Sequence, residues 1–215
     1  MMRIIGVRFL TAIVAIALAS CSMRPMYMTL TNNQTQLNVN SVAVVSVGED
    51  ETDVRFAELL TRELQKQTKF KVVSQQELAR RFPPYPITIH SFTETSQAKW
   101  GDRFENLSGD SIKAATELQR ITRTDHIIFT WVGKCVRDAS CMGMARSVKA
   151  VFNARTLKFP GAVLVANSEF THKAGASPVV GTYNDALDRS IAIAAEEIAK
   201  SIVYYSVSPD KRNTK

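Results

Sequence analysis

The chain has 215 residues, 45% of them hydrophobic and 22% charged, with 27 Lys and Arg against 20 Asp and Glu, a formal charge of +7. That length and composition exclude a low-complexity or collagen-like chain and suit one well-buried domain. No Lys/Arg run of the kind nucleic-acid readers carry is present, so the basic balance points instead to anionic surfaces of other kinds.

Arg3 and Arg8 open the chain, and the run from Phe9 to Ala19 is apolar apart from Thr11. Eleven residues are too few for a membrane span, which needs about 20. A basic start, a short apolar stretch and the small residues Ala19-Ser20 read as a secretory signal over residues 1–20. Leu18-Ala-Ser-Cys21 resembles the lipobox of bacterial lipoproteins. The resemblance implies that Cys21 becomes the lipidated first residue of the mature chain. Ser22, where inner-membrane lipoproteins of the enteric pattern carry Asp, implies an outer-membrane anchor facing the periplasm. The removed segment holds two arginines and no acid, so the mature charge falls from +7 by two, to +5.

Residues 21–40 are rich in Asn and Gln and read as a lipidated tether. Ser41-Val-Ala-Val-Val-Ser-Val47 is a near-continuous apolar run, expected as a central strand, and Gly48-Glu49-Asp50 turns it. Thr52 or Asp53 caps a helix with Phe56, Leu59, Leu60 and Leu64 at helical spacing. Phe70-Lys-Val-Val73 is a short strand. Ser74-Gln-Gln-Glu77 is a capping box for a helix to about Arg81, which Pro83, Pro84 and Pro86 stop. Ile87–Phe92 alternates as a strand, and Thr93–Leu107 reads as a long polar loop.

Asp110 or Ser111 caps the next helix, and Asp125–Val132 is a second apolar strand. Two further alternating strands, Val148–Arg155 and Ala162–Phe170, form a hairpin through Leu157–Gly161. Neither reads as one of a pair of ten-residue alternating segments able to build a membrane barrel. The last helix runs from about Asn184 to Tyr204, and residues 208–215 form a polar tail. The expected fold is α/β, one mixed β-sheet with helices packed on it, in the order βαβαβαβββα, over residues 41–207.

Cys135-Val-Arg-Asp-Ala-Ser-Cys141 places two cysteines in an apparent loop of an exported chain. A disulfide between Cys135 and Cys141 is expected there, worth about 2–3 kcal/mol at most in so short a loop. A metal site wants more ligands than this stretch offers, and His126 lies in an apolar strand pattern. The three histidines, His90, His126 and His172, each occupy strand patterns without metal-ligand spacing. No Gly-x-Ser-x-Gly elbow and no phosphate loop is present, and Glu196 and Glu197 are adjacent, so they diverge by about 100° around the helix. No metal, cofactor or catalytic residue is expected. Trp100 and Phe104 stand alone in a polar stretch. They are candidate partner-binding anchors, with packing on a sheet edge as the alternative.

The apolar strand, amphipathic helix and Phe70-Lys-Val-Val-Ser-Gln-Gln-Glu77, followed by Thr124-Asp-His-Ile-Ile-Phe-Thr-Trp-Val-Gly133 and a final helix, resemble a group of periplasmic domains. The group holds the curli-secretion channel lipoprotein, the Tol N-terminal domain and the lipoprotein activators of penicillin-binding proteins. The resemblance implies a non-catalytic binding or assembly factor for an envelope protein complex, with homo-oligomers within the group's range. Cys21-Ser-Met-Arg-Pro-Met-Tyr27 is also similar to the start of the lipopolysaccharide-assembly lipoprotein that plugs the outer-membrane translocon. That family lacks the helix read here after Asp110, so it ranks second. A cell-envelope enzyme ranks third.

Overall fold

The computed structural model describes residues 27–31, 35–47, 50–74, 77, 78, 80, 110–139, 146–176 and 182–207. The signal segment, Cys21, the strand expected at Ile87–Phe92, the loop holding Trp100 and Phe104, Cys141 and the tail lie outside the described residues. The elements are β1 (Tyr27–Leu30), β2 (Ser41–Ser46), α1 (Glu51–Gln67), β3 (Lys71–Val73), α2 (Asp110–Thr122), β4 (His126–Ala139), β5 (Arg146–Lys158), β6 (Val163–Ala176) and α3 (Tyr183–Ser206). The strands form one mixed sheet in the order β1-β6-β5-β4-β2-β3. β2 runs parallel to both its neighbours, and the β4-β5-β6-β1 side is antiparallel.

β2 is apolar on both faces because both faces are covered. Val42 and Val44 face one core while Ala43 and Val45 face the other. The first core lies under α1 and α3. It joins Phe56, Leu60 and Leu64, spaced four apart on α1, to Ile191 and Ile198 on α3 and Phe152 and Phe170 on the sheet. The rings of Phe56 and Phe152 meet at 5.3 Å and 60°. Ala57 on α1 and Ala194, Ala195 and Ala199 on α3 are buried in the same core, and such small side chains let the two packed helices approach closely. The second core, on the opposite face, holds Leu118 of α2 with Ile127, Phe129, Val73 and Leu78.

Local signals agree with these elements. Glu51 and Asp53 sit in the first turn of α1, where carboxylates meet the positive end of the helix dipole. Ser74 Oγ accepts the Glu77 N–H at 3.1 Å, as a helix cap there requires. Thr182 and Asp185 form a full capping box at the start of α3. Between β5 and β6, Gly161 takes φ +102°, a conformation glycine adopts without steric cost.

Three expectations are corrected. The polar tether is part of the fold. Tyr27–Leu30 is an edge strand on β6, and Leu37 is fully buried with Val165, its N–H donating to Tyr205 O at 2.8 Å. The apolar Met28, Leu30, Leu37 and Val39 carry this, dispersed among the amides that dominate the local average. β4 does not end at Val132. It continues through an irregularity at Val132–Cys135 to Ala139, because β5 supplies hydrogen bonds to a backbone whose side chains have turned polar. Cys135 is therefore a strand residue opposite Ala150, not a loop residue. Finally, β5 and β6 are 13 and 14 residues long, so alternating segments beyond ten residues do exist here. Phe152, Ala154 and Phe170 on one of their faces are covered by the helices.

Candidate functional site

Two polar clusters could be mistaken for chemistry. His172 Nδ1 lies 2.8 Å from Ser190 Oγ, between β6 and α3. The Ser190 hydroxyl donates to Ala186 O at 3.0 Å, so its oxygen is left to accept from Nδ1–H. Ser190 is fully buried and His172 is 3% exposed, stacked on Phe170 at 6.0 Å. A nucleophile needs its hydroxyl proton offered to the base and its oxygen open to substrate. This pair has neither and fastens α3 to the sheet.

The second cluster closes the base of the sheet. Asp125 Oδ2 accepts from Asn40 N–H at 3.0 Å and Nδ2 at 3.2 Å. Its Oδ1 accepts from Ser41 N–H at 2.6 Å and Oγ at 2.8 Å. Partial burial alone would raise this carboxyl, but the bonds from Asn40 and Ser41 outweigh it and hold it below the ordinary carboxylate range. His126, next along, is 1% exposed, and its Nδ1 stands 3.4 Å from Asp125 Oδ1, too far for a well-formed hydrogen bond. Burial lowers the His126 pKa despite the neighbouring carboxylate, and burial lowers that of His172 as well. Asp125 lies between the serine and the histidine, so no Ser–His contact exists for a relay.

The open features are a cleft and a groove. The cleft, about 250 Å³, lies where α1 and α3 begin beside the far half of β4, lined by Glu51, Arg55, Arg137, Asn184, Leu187 and Asp188. Arg55 pairs with Asp188 at 2.7 Å, and the Arg137 guanidinium lies 5.8 Å from the centre of the Tyr183 ring. Beneath it, Asp53 Oδ1 accepts the Val132 N–H at 2.7 Å, a backbone donor at the β4 irregularity. The groove, about 880 Å³, lies where α1 and α3 end, between Phe70, Val39 and Val203. Tyr204 and Val207 are exposed beside it.

Of the residues singled out in the sequence, Cys135 alone is described, and it is exposed. Cys21, Cys141, Trp100 and Phe104 lie outside the described residues. Sequence reasoning missed Asp125 and Arg137. Asp125 is legible only as a helix-to-strand turn residue, and its partners are 84 and 85 positions away. Among the described residues no group of three or more His, Cys, Asp or Glu could hold a metal ion. No described helix is long and apolar enough to cross a membrane.

No family model and no curated protein matches this chain. Solved structures do. A point variant of PelC from Paraburkholderia phytofirmans, a dodecamer, is similar at 10% identity and TM-score 0.43, over 83% of this chain and 98% of that one. A lipoprotein from Neisseria meningitidis is similar at 10% identity and TM-score 0.40, over 74% and 98%. A hypothetical protein from Chlamydia trachomatis is similar at 13% identity and TM-score 0.39, over 77% and 94%. None of these three is from the curli-secretion, Tol or penicillin-binding-protein-activator group that the sequence pattern resembled. At such identities and TM-scores they assign no role to any residue of this chain.

Proposed function

We propose that this chain is an outer-membrane lipoprotein, anchored through Cys21, whose periplasmic domain is a non-catalytic binding factor in the assembly of an envelope protein complex. The observation that carries the anchor is Leu18-Ala-Ser-Cys21 at the end of a short basic-apolar leader. The binding role draws support from how the described polar clusters are used. His172, Ser190, Asp125 and Ser41 are each committed to holding elements together. Trp100 and Phe104 are the proposed partner anchors. The helix α2 departs from the lipopolysaccharide-assembly pattern, which ranks that reading below this one.

Crosslinking in intact cells tests the role. A photoreactive residue at position 100 or 104 should yield a discrete adduct with one envelope protein. Trp100→Ala with Phe104→Ala should weaken that capture by about 2 kcal/mol or more per anchor while melting stays nearly unchanged. A collapse of stability with capture intact in the folded fraction would reassign both rings to the core.

A further inference from the structure

Lys149 and Lys173 stand directly opposite each other on β5 and β6. Their neighbours Val148, Ala150 and Ala174 are buried on the helix-covered side of the sheet, so both lysines project from the other face. Both are exposed, as is Lys134 in the β4 irregularity. Like charges placed opposite on one face repel, and neither lysine has a described carboxylate at its own register. The nearest acids on this face are Asp138, opposite Ser147, and Glu169, opposite Asn153. An anion laid across the pair relieves that repulsion.

The chain itself says where an anionic surface lies. Tyr27 pairs with Glu169, and Lys173 is four residues further along β6, about 14 Å away. Cys21 precedes Tyr27 by six residues, a reach of at most about 21 Å. We propose that the lysine-bearing face of β5 and β6 rests on the phosphate headgroups of anionic phospholipid in the leaflet that holds the lipidated Cys21. The proposal rests on the anchor reading for its geometry. With β1 in the sheet, the domain has no long tether and lies close against that leaflet.

The test uses the mature chain with Cys21→Ser, which carries no acyl chain, and sedimentation with vesicles. One set is phosphatidylcholine alone, the other phosphatidylcholine mixed with phosphatidylglycerol. The protein should pellet with the mixed vesicles only, and added salt should release it. Each lysine near an anionic leaflet is worth about fivefold in partitioning, so Lys149→Gln with Lys173→Gln should lose about 30-fold. Unchanged partitioning of the double variant, or a parent protein that binds neither vesicle, overturns the proposal. So does a protein that pellets with purified peptidoglycan but with neither vesicle. Acyl labelling of Cys21 in the unsubstituted protein is a separate readout. Label without vesicle binding removes the docking face and keeps the anchor, and vesicle binding without label does the reverse.

Discussion

At the scale of single residues, the structure assigns its buried polar groups to stability, and this has a pH signature. The folded pKa values of His126 and His172 are lowered by burial, so the unfolded chain takes up protons first as pH falls through about 6.5. Their contribution is complete above that value and shrinks below it, with a slope of at most about 1.4 kcal/mol per pH unit for each. Asp125 is lowered as well, so its contribution persists to its ordinary range near 3.8 and is lost as pH falls further. Urea midpoints should therefore be flat from pH 8 to 7, decline towards pH 5, and fall again below pH 4. A midpoint that rises on acidification towards pH 5 would contradict this.

Cys135 gives a second residue-scale expectation, opposite to the one drawn from sequence. It lies four residues before the end of β4, about 14 Å from Ala139 in an extended strand. Cys141 is two residues further on and returns no nearer than about 6 Å even by immediate reversal. A disulfide wants Cα atoms about 4.4–6.8 Å apart, and the strand's pairing with β5 continues to Ala139. Both thiols should alkylate in the native, unreduced protein. A loss of two hydrogens across residues 135–141 would show that the end of β4 departs from β5.

At the scale of elements, α1 and α3 hold the sheet through an aromatic contact. Phe56→Ala or Phe152→Ala should each cost about 3–5 kcal/mol, since both side chains are fully buried. Because the rings touch, the double variant should lose less than the two single losses added, as read from denaturant unfolding. Additive losses would mean the rings act independently. These elements were legible in the sequence because period and burial coincide. Phe56, Leu60 and Leu64 mark a helix face, and the continuous run of β2 marks a strand covered on both sides. β1 was not legible, because an edge strand of four residues is held by backbone pairing to a strand over 130 positions away. The length of β4 was hidden for the same reason: Lys134, Arg137 and Asp138 read as loop until their partners on β5 are known.

At the scale of the whole molecule, fold class was readable and surface was not. The mixed sheet follows from early β-α alternation and a late hairpin. The opposition of Lys149 and Lys173 depends on a register that no local pattern states. The anchor, by contrast, is written entirely in local sequence. The central claim is that Cys21 is the lipid-bearing start of a domain folded almost from its first residues. Intact-mass and N-terminal peptide measurement of the protein from native membranes tests it most directly. The account predicts a chain beginning at Cys21 whose first residue carries the mass of acyl chains. A chain that keeps residues 1–20, or one cut elsewhere with Cys21 unmodified, would contradict it.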